Sequence, residues 1–157
     1  MAQEIERKFL VKSSDYRAQA SSDARIVQGY LNSAAERAVR VRIYGEQGFL
    51  TIKGKSNDSG TSRYEWEREI PLQDAEELLG LCEPGVIDKR RYRVEIDGYC
   101  FEVDEFAGDN QGLIMAEVEL SDENESFPRP DWLGEEVTGQ VAYYNSALSR
   151  HPFKSWA

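Results

Sequence analysis

Lys89-Arg90-Arg91-Tyr92-Arg93-Val94-Glu95-Ile96-Asp97-Gly98-Tyr99-Cys100-Phe101-Glu102-Val103-Asp104 is the stretch that decides the fold. Alternate residues fall into two unlike sets. Lys89, Arg91, Arg93 and Glu95 share one parity, and Tyr92, Val94 and Ile96 the other. Period two is the signature of a strand whose side chains point to opposite faces. Asp97-Gly98 is a favoured two-residue hairpin turn, after which Glu102 and Asp104 alternate with Phe101 and Val103. The same pattern recurs outward along the chain, and the segments 3–11, 25–32, 38–45, 48–55, 62–70, 86–96, 99–106 and 113–120 all read as strands. Gly45-Glu46-Gln47-Gly48 reads as a second hairpin turn, and residues 55–61 as a polar loop. Two helices are predicted, over 73–82 (stopped by Glu83-Pro84-Gly85) and over 140–149, with a weaker one over 14–20. There is no linker and no repeat, so the reading is one mainly β (α+β) domain over 1–157.

The polar faces are unusual in kind. Glu4, Glu6 and Lys8 share a face of the first strand, against Ile5, Phe9 and Val11. Gln28 and Tyr30 share one of the second, Arg40 and Arg42 of the third, and Thr51 and Lys53 of the fourth. Arg63, Glu65, Glu67 and Glu69 line the fifth, and Glu117 and Glu119 the eighth. A solvated sheet surface is the ordinary explanation for such faces. It accounts poorly for same-sign neighbours such as Glu4/Glu6, Arg40/Arg42, Lys89/Arg91 and Glu117/Glu119, which repel one another. They make sense around a ligand of opposite charge. Eight strands suffice to close a barrel, and with the charged faces inward the result is a tunnel with an acidic and a basic patch.

The chain has 157 residues, 40% hydrophobic and 31% charged, with 19 Lys+Arg against 29 Asp+Glu for a net charge of −10. An exterior that acidic repels DNA, RNA and anionic lipid, so neither a nucleic acid nor a membrane is an expected partner. No apolar run reaches the roughly 20 residues of a membrane span. The opening Met1-Ala2-Gln3-Glu4-Ile5-Glu6 lacks the layout of a secretion signal. Cys82 and Cys100 show no metal spacing and are expected as free thiols in a reducing cytoplasm. With His151 the single histidine, a His-based triad or multi-His metal site is excluded.

Four or five carboxylates from strands one, seven and eight, with no His or Cys among them, suit a hard divalent cation, Mg²⁺ or Mn²⁺. Basic side chains from strands three to six suit a chain of phosphates. Metal and polyphosphate together point to phosphoryl transfer, built from side chains because no Gly-rich phosphate loop is present.

The residues also carry a resemblance. Glu4-Ile5-Glu6-Arg7-Lys8 is similar to the ExExK signature of the CYTH family, the triphosphate tunnel metalloenzymes. The similarity continues through Gln28-Gly29-Tyr30-Leu31, Arg40-Val41-Arg42, Leu50-Thr51-Ile52-Lys53, Arg63-Tyr64-Glu65-Trp66-Glu67, Lys89-Arg90-Arg91-Tyr92, Val103-Asp104-Glu105-Phe106 and Glu117-Val118-Glu119. It ends at 132–138 and Tyr144-Asn145. ExExK alone is weak; eight ordered motifs along nearly the whole chain are specific. The opening and the length most resemble the compact bacterial branch of inorganic triphosphatases.

The resemblance implies a closed, eight-stranded antiparallel tunnel with flanking helices and metal-dependent attack on a small-molecule triphosphate, most simply inorganic tripolyphosphate. It implies Glu4, Glu6, Glu117 and Glu119 as metal ligands, with Asp104 as a further or second-ion ligand. It implies Lys8, Arg40, Arg42, Lys53, Arg63, Lys89 and Arg91 as phosphate ligands, and Lys55 and Glu65 as lining. Tyr30 and Lys53 match a pair given the water-activating role in related thiamine triphosphatases, where an ammonium beside a phenol favours the phenolate. A wall residue is the competing reading of Tyr30. Glu65, Glu67 and Glu69 read as counter-ions of the arginines, Trp66, Trp132 and Trp156 as packing or surface aromatics, and Tyr143 and Tyr144 as a core stripe. The competing functions are an adenylyl cyclase on the same fold, a thiamine triphosphatase and a non-catalytic polyphosphate-binding module; a homodimer is compatible with each.

Overall fold

Antiparallel hairpins joined by tight turns make up most of the chain in the computed structural model, which describes residues 3–59 and 61–156. In chain order the elements are β1 (Gln3–Val11), α1 (Tyr16–Gln19), β2 (Ser22–Asn32), β3 (Arg37–Tyr44), β4 (Gln47–Ser56), β5 (Ser62–Ile70) and α2 (Leu72–Leu79). Then follow β6 (Ile87–Ile96), β7 (Tyr99–Phe106), β8 (Ile114–Glu119), β9 (Leu133–Glu136) and α3 (Asn145–Arg150). Asp97 (φ 50°) and Gly98 (φ 84°) are both left-handed, the backbone that a twisted two-residue hairpin between β6 and β7 requires.

The strands follow the order β5-β4-β3-β2-β6-β7-β8-β1, and β1 pairs back onto β5, so eight antiparallel strands close into a barrel. The seam is short, Gln3–Ile5 against Ser62–Tyr64. Further along, β1 pairs with β9, a ninth strand that lies outside the eight-strand circuit.

The apolar core lies outside this wall. Phe9, Val94, Phe101, Val103, Ala116 and Val118 present their outward faces to Tyr16 of α1 and to Leu120, Trp132 and Leu133. Trp132 packs edge-on against Tyr16 and Phe101, and its indole N–H donates to Gln19 at 3.0 Å. On the other side α2 lies over β2–β4, and a Cβ on Gly48 would stand only 2.7 Å from that of Ala75, so the close approach needs glycine. A second cluster of Ile87, Phe106, Leu113, Met115, Val137 and Leu148 closes one end of the barrel beneath the C-terminal segment. No helix among the described residues is long and apolar enough to cross a membrane.

The eight expected strands are present within a few residues. The expected helix over 140–149 is broken instead. Val141–Tyr143 form a 3-10 turn, Tyr144 is extended (φ −70°, ψ 142°), and α3 begins at Asn145. The break lets Tyr144 turn into the barrel while Leu148 enters the end cluster. The helix expected over 73–82 spans Leu72–Leu79, and 80–82 continue it only as turns, ahead of Pro84. β9 was not expected: at four residues, Leu-Gly-Glu-Glu, it is too short to show a period. Cys82 and Cys100 are free thiols.

Candidate active site

Closing the barrel with the charged parity inward creates a cavity of about 340 Å³. Its lining gathers Glu6 and Lys8 from β1, Tyr30 from β2, Ala38, Arg40 and Arg42 from β3, and Lys53 from β4. β5 adds Arg63, Glu65 and Glu67, β6 Arg91 and Arg93, β7 Cys100 and Glu102, and β8 Glu117 and Glu119. Tyr144 and Asn145 complete it from the C-terminal segment.

Acids and bases occupy different arcs. Glu6 stands directly opposite Glu119 across β1–β8, and Glu117 opposite Glu102 across β7–β8. Like charges at facing positions cost stability, so something other than the fold accounts for them. Lys8 sits among these acids, its Nζ 3.1 Å from Glu117 and 3.7 Å from Glu6. Burial alone would raise the Glu117 carboxyl, but Lys8 and Arg91, with a hydrogen bond to Glu6, outweigh it and hold Glu117 well below the usual carboxylate range. Among the described residues no three carboxylates already form a metal cage; Lys8 occupies the place between them. The donor set itself, carboxylates alone on adjacent strands, fits a hard divalent ion. The Glu4 side chain, an expected ligand, lies outside the described residues.

The basic arc is held by polar neighbours. Arg42 donates from Nε to Gln28 at 2.9 Å, Arg63 to the Gly54 carbonyl at 3.2 Å, and Arg93 to Glu102 at 2.9 Å. Arg40 reaches Glu67 at 3.7 Å, and the Thr51 hydroxyl between them donates to Glu67 at 2.5 Å. Burial, followed by repulsion from Arg40 and Arg91, pushes the Arg42 guanidinium below its ordinary value. Among the described residues the buried Arg40 Nε and Gln28 Nε2 donors have no partner. Orphaned buried donors are uncommon and costly, and here they belong to the side of the barrel where an anion would be taken. Tyr144 places the centre of its ring 5.4 Å from Lys8 Nζ and 5.9 Å from the Arg63 guanidinium, so one aromatic ring serves two cations across the seam.

Of the expected residues, Glu6, Lys8, Tyr30, Arg40, Arg42, Lys53, Arg63, Arg91, Glu117 and Glu119 all face this one cavity. Lys89 and Asp104 do not line it; they lie behind Arg91, fully buried. Lys55 is exposed and off the lining, because a register shift between Lys53 and Ser56 breaks the strand's parity. Glu65 does line it. Cys100 could have been found by carrying the parity of Asp104 and Glu102 two residues back. Tyr144, read as core stripe, and Asn145, given no role beyond the Tyr144-Asn145 motif, lie outside any strand, where parity says nothing.

The model of the CYTH domain matches residues 2–148. An inorganic triphosphatase of Acetivibrio thermocellus is 46% identical over 157 residues, 99% of each chain. One of Nitrosomonas europaea is 37% identical over 150 residues, covering 93% of this chain and 96% of that one. A crystal structure of an inorganic triphosphatase superposes with a TM-score of 0.67 at 34% identity, over 95% of both chains. A Hippeastrum protein taken for an adenylyl cyclase, and reported to have a dominant triphosphatase activity, shares the fold at a TM-score of 0.61 and 16% identity, over 76% of this chain and 80% of that one.

Proposed function

The chain belongs to the CYTH family, and from that premise we propose that it hydrolyses inorganic tripolyphosphate to pyrophosphate and orthophosphate, using Mg²⁺ or Mn²⁺. The observation that carries the reading is the division of one cavity into an arc of Glu6, Glu117 and Glu119 and an arc of Arg40, Arg42, Lys53, Arg63 and Arg91. Relatives at 46% and 37% identity that bear the name inorganic triphosphatase support it.

Glu6, Glu117 and Glu119, with Glu4, would hold the metal. A divalent ion bound there supplies charge neutralisation at phosphate oxygens and orientation of the reacting groups. Arg40, Arg42, Arg63 and Arg91 grip the phosphate chain, and their fixed positive charge is worth most where negative charge develops in the transition state. Tyr30, opposite Arg40 in the β2–β3 ladder, and Lys53, opposite Ala38, are assigned the orientation and deprotonation of water. Cyclisation of ATP fits less well. It needs ordered contacts to base and ribose, and among the described residues the lining offers only Ala38, Cys100, Tyr30 and Tyr144 as partly apolar groups. The free thiols support a reducing, cytoplasmic setting.

The test is a product panel. Purified protein with Mg²⁺ or Mn²⁺ is given tripolyphosphate, thiamine triphosphate or ATP. Pyrophosphate and orthophosphate from tripolyphosphate are expected. Cyclic AMP as the main product of ATP, with tripolyphosphate intact, would overturn the proposal. Tyr30→Phe should lower turnover of tripolyphosphate about a hundredfold with the fold intact; unchanged turnover removes Tyr30 from the mechanism.

A further inference from the structure

Asp104 and Lys89 carry charge on the inward parity of their strands yet do not reach the cavity. Arg91 grips the Asp104 carboxylate with both arms of its fork, Nε to Oδ1 at 2.7 Å and a terminal nitrogen to Oδ2 at 2.8 Å. Lys89 Nζ takes the same Oδ2 at 2.7 Å and donates to Asn145 Oδ1 at 3.3 Å. The side chains of Lys89 and Asp104 are 0% and 5% exposed. Their surroundings are apolar: Asp104 faces Met115 across β7–β8, and the Lys89 ammonium lies 5.2 Å from the centre of the Phe106 ring. The β7 carboxylate level with Glu117 is Glu102, two residues nearer the acid arc.

We infer that Asp104 and Lys89 are neither metal ligand nor phosphate ligand but a buried positioning pair, which aims Arg91 and Asn145 at the substrate from behind. The inference rests on the reading that the cavity takes a triphosphate. Both oxygens of Asp104 are spent on cations. A bidentate carboxylate locks the plane of a guanidinium as no single contact does. Arg91 is thus held by its inner edge, while its remaining terminal nitrogen turns to Glu102 at 3.3 Å on the cavity wall. Lys89 ties the same carboxylate to Asn145, the first residue of α3, so one ammonium couples the barrel wall to the C-terminal segment. A buried charge persists only when paired, which explains why the unit contains both signs.

Two measurements on folded protein, below its melting temperature, separate positioning from direct contact. The first is a mutant cycle on tripolyphosphate binding. Arg91→Ala is expected to weaken binding about tenfold or more, as loss of a charged contact does, and Lys89→Met by a similar factor alone. In a background that carries both Arg91→Ala and Asn145→Ala, Lys89→Met should add less than about twofold, because coupled residues are not additive. Full additivity would show that Lys89 touches phosphate itself and overturn the inference. The second is Mn²⁺ binding without substrate, followed by loss of the free-ion signal in electron paramagnetic resonance. Asp104→Asn should bind Mn²⁺ as wild type does, whereas Glu6→Gln binds it at least about tenfold more weakly. Equal loss in both would make Asp104 a ligand and overturn the inference. If Asp104→Asn does not fold, Lys89→Met with Asp104→Asn removes one charge of each sign and replaces it in both measurements. Wild-type protein that shows no tripolyphosphate binding would overturn the functional reading, and this inference with it.

Discussion

The two faces of the same strands obey opposite rules. Outside, Phe9, Phe101, Val103 and Val118 meet Trp132 and Tyr16 in a packed layer that water does not enter. Inside, Glu6 confronts Glu119 and Arg40 crowds Arg42, an arrangement a stability argument would reject. The difference teaches that the outer layer holds the barrel closed, while the inner layer spends part of that stability on keeping ligand charges together. Substitutions should therefore separate cleanly by face.

The largest effect is expected outside. Trp132→Ala should cost about 3–5 kcal/mol of stability, read as a fall in the denaturant midpoint, with turnover retained well below the melting temperature. If activity fell first, the two faces would not be separable. Next comes the acid arc. Glu6→Gln and Glu117→Gln should each lower kcat/KM about a hundredfold, some 3 kcal/mol, and EDTA should do the same to wild type. The melting temperature of Glu6→Gln should hold or rise, since repulsion from the facing Glu119 is relieved, whereas that of Glu117→Gln should fall, since Lys8 and Arg91 lose a partner. A solvated-face role would leave activity untouched.

The basic arc follows. Arg40→Ala should weaken tripolyphosphate binding by about 1.5–3 kcal/mol and shrink the thermal stabilisation that ligand gives by mass action. The smallest effect is in pH. Burial would raise Asp104, but Arg91 and Lys89 override it and hold the carboxyl at about 2 rather than 3.8. The unfolded chain then takes up the proton first. This contribution of about 2 kcal/mol is present above pH 4 and lost as pH falls from about 4 to 2. Asp104→Asn should flatten the acid limb of stability over that window, measured by denaturant unfolding at several pH values.

Parity made most of this readable from the chain. Because β-side chains alternate, Lys89 with Arg91 and Glu117 with Glu119 could be assigned to one face with no knowledge of the barrel. Parity gives the face but not the depth, however. The strands of a barrel are tilted and staggered, so neighbours two residues apart sit at different heights along the axis. That is why Arg91 reaches the cavity while Lys89 stays behind it, and Glu102 reaches it while Asp104 does not. A single register shift was enough to remove Lys55. Tyr144 and Asn145 enter through a break in a helical segment, which depends on packing at the barrel's closed end rather than on a local period.

One consequence concerns the order of events during synthesis. β1 finds its hydrogen-bonding partners in β5, β8 and β9, elements that leave the ribosome long after it. Loop closure over such separations is slow, so the ring cannot shut until more than 110 residues have been made. Through that interval the first strand is a bare edge, the kind of surface that recruits other chains. Its Glu-Arg-Lys run, useful later for chemistry, meanwhile keeps that edge too charged to stack with its copies.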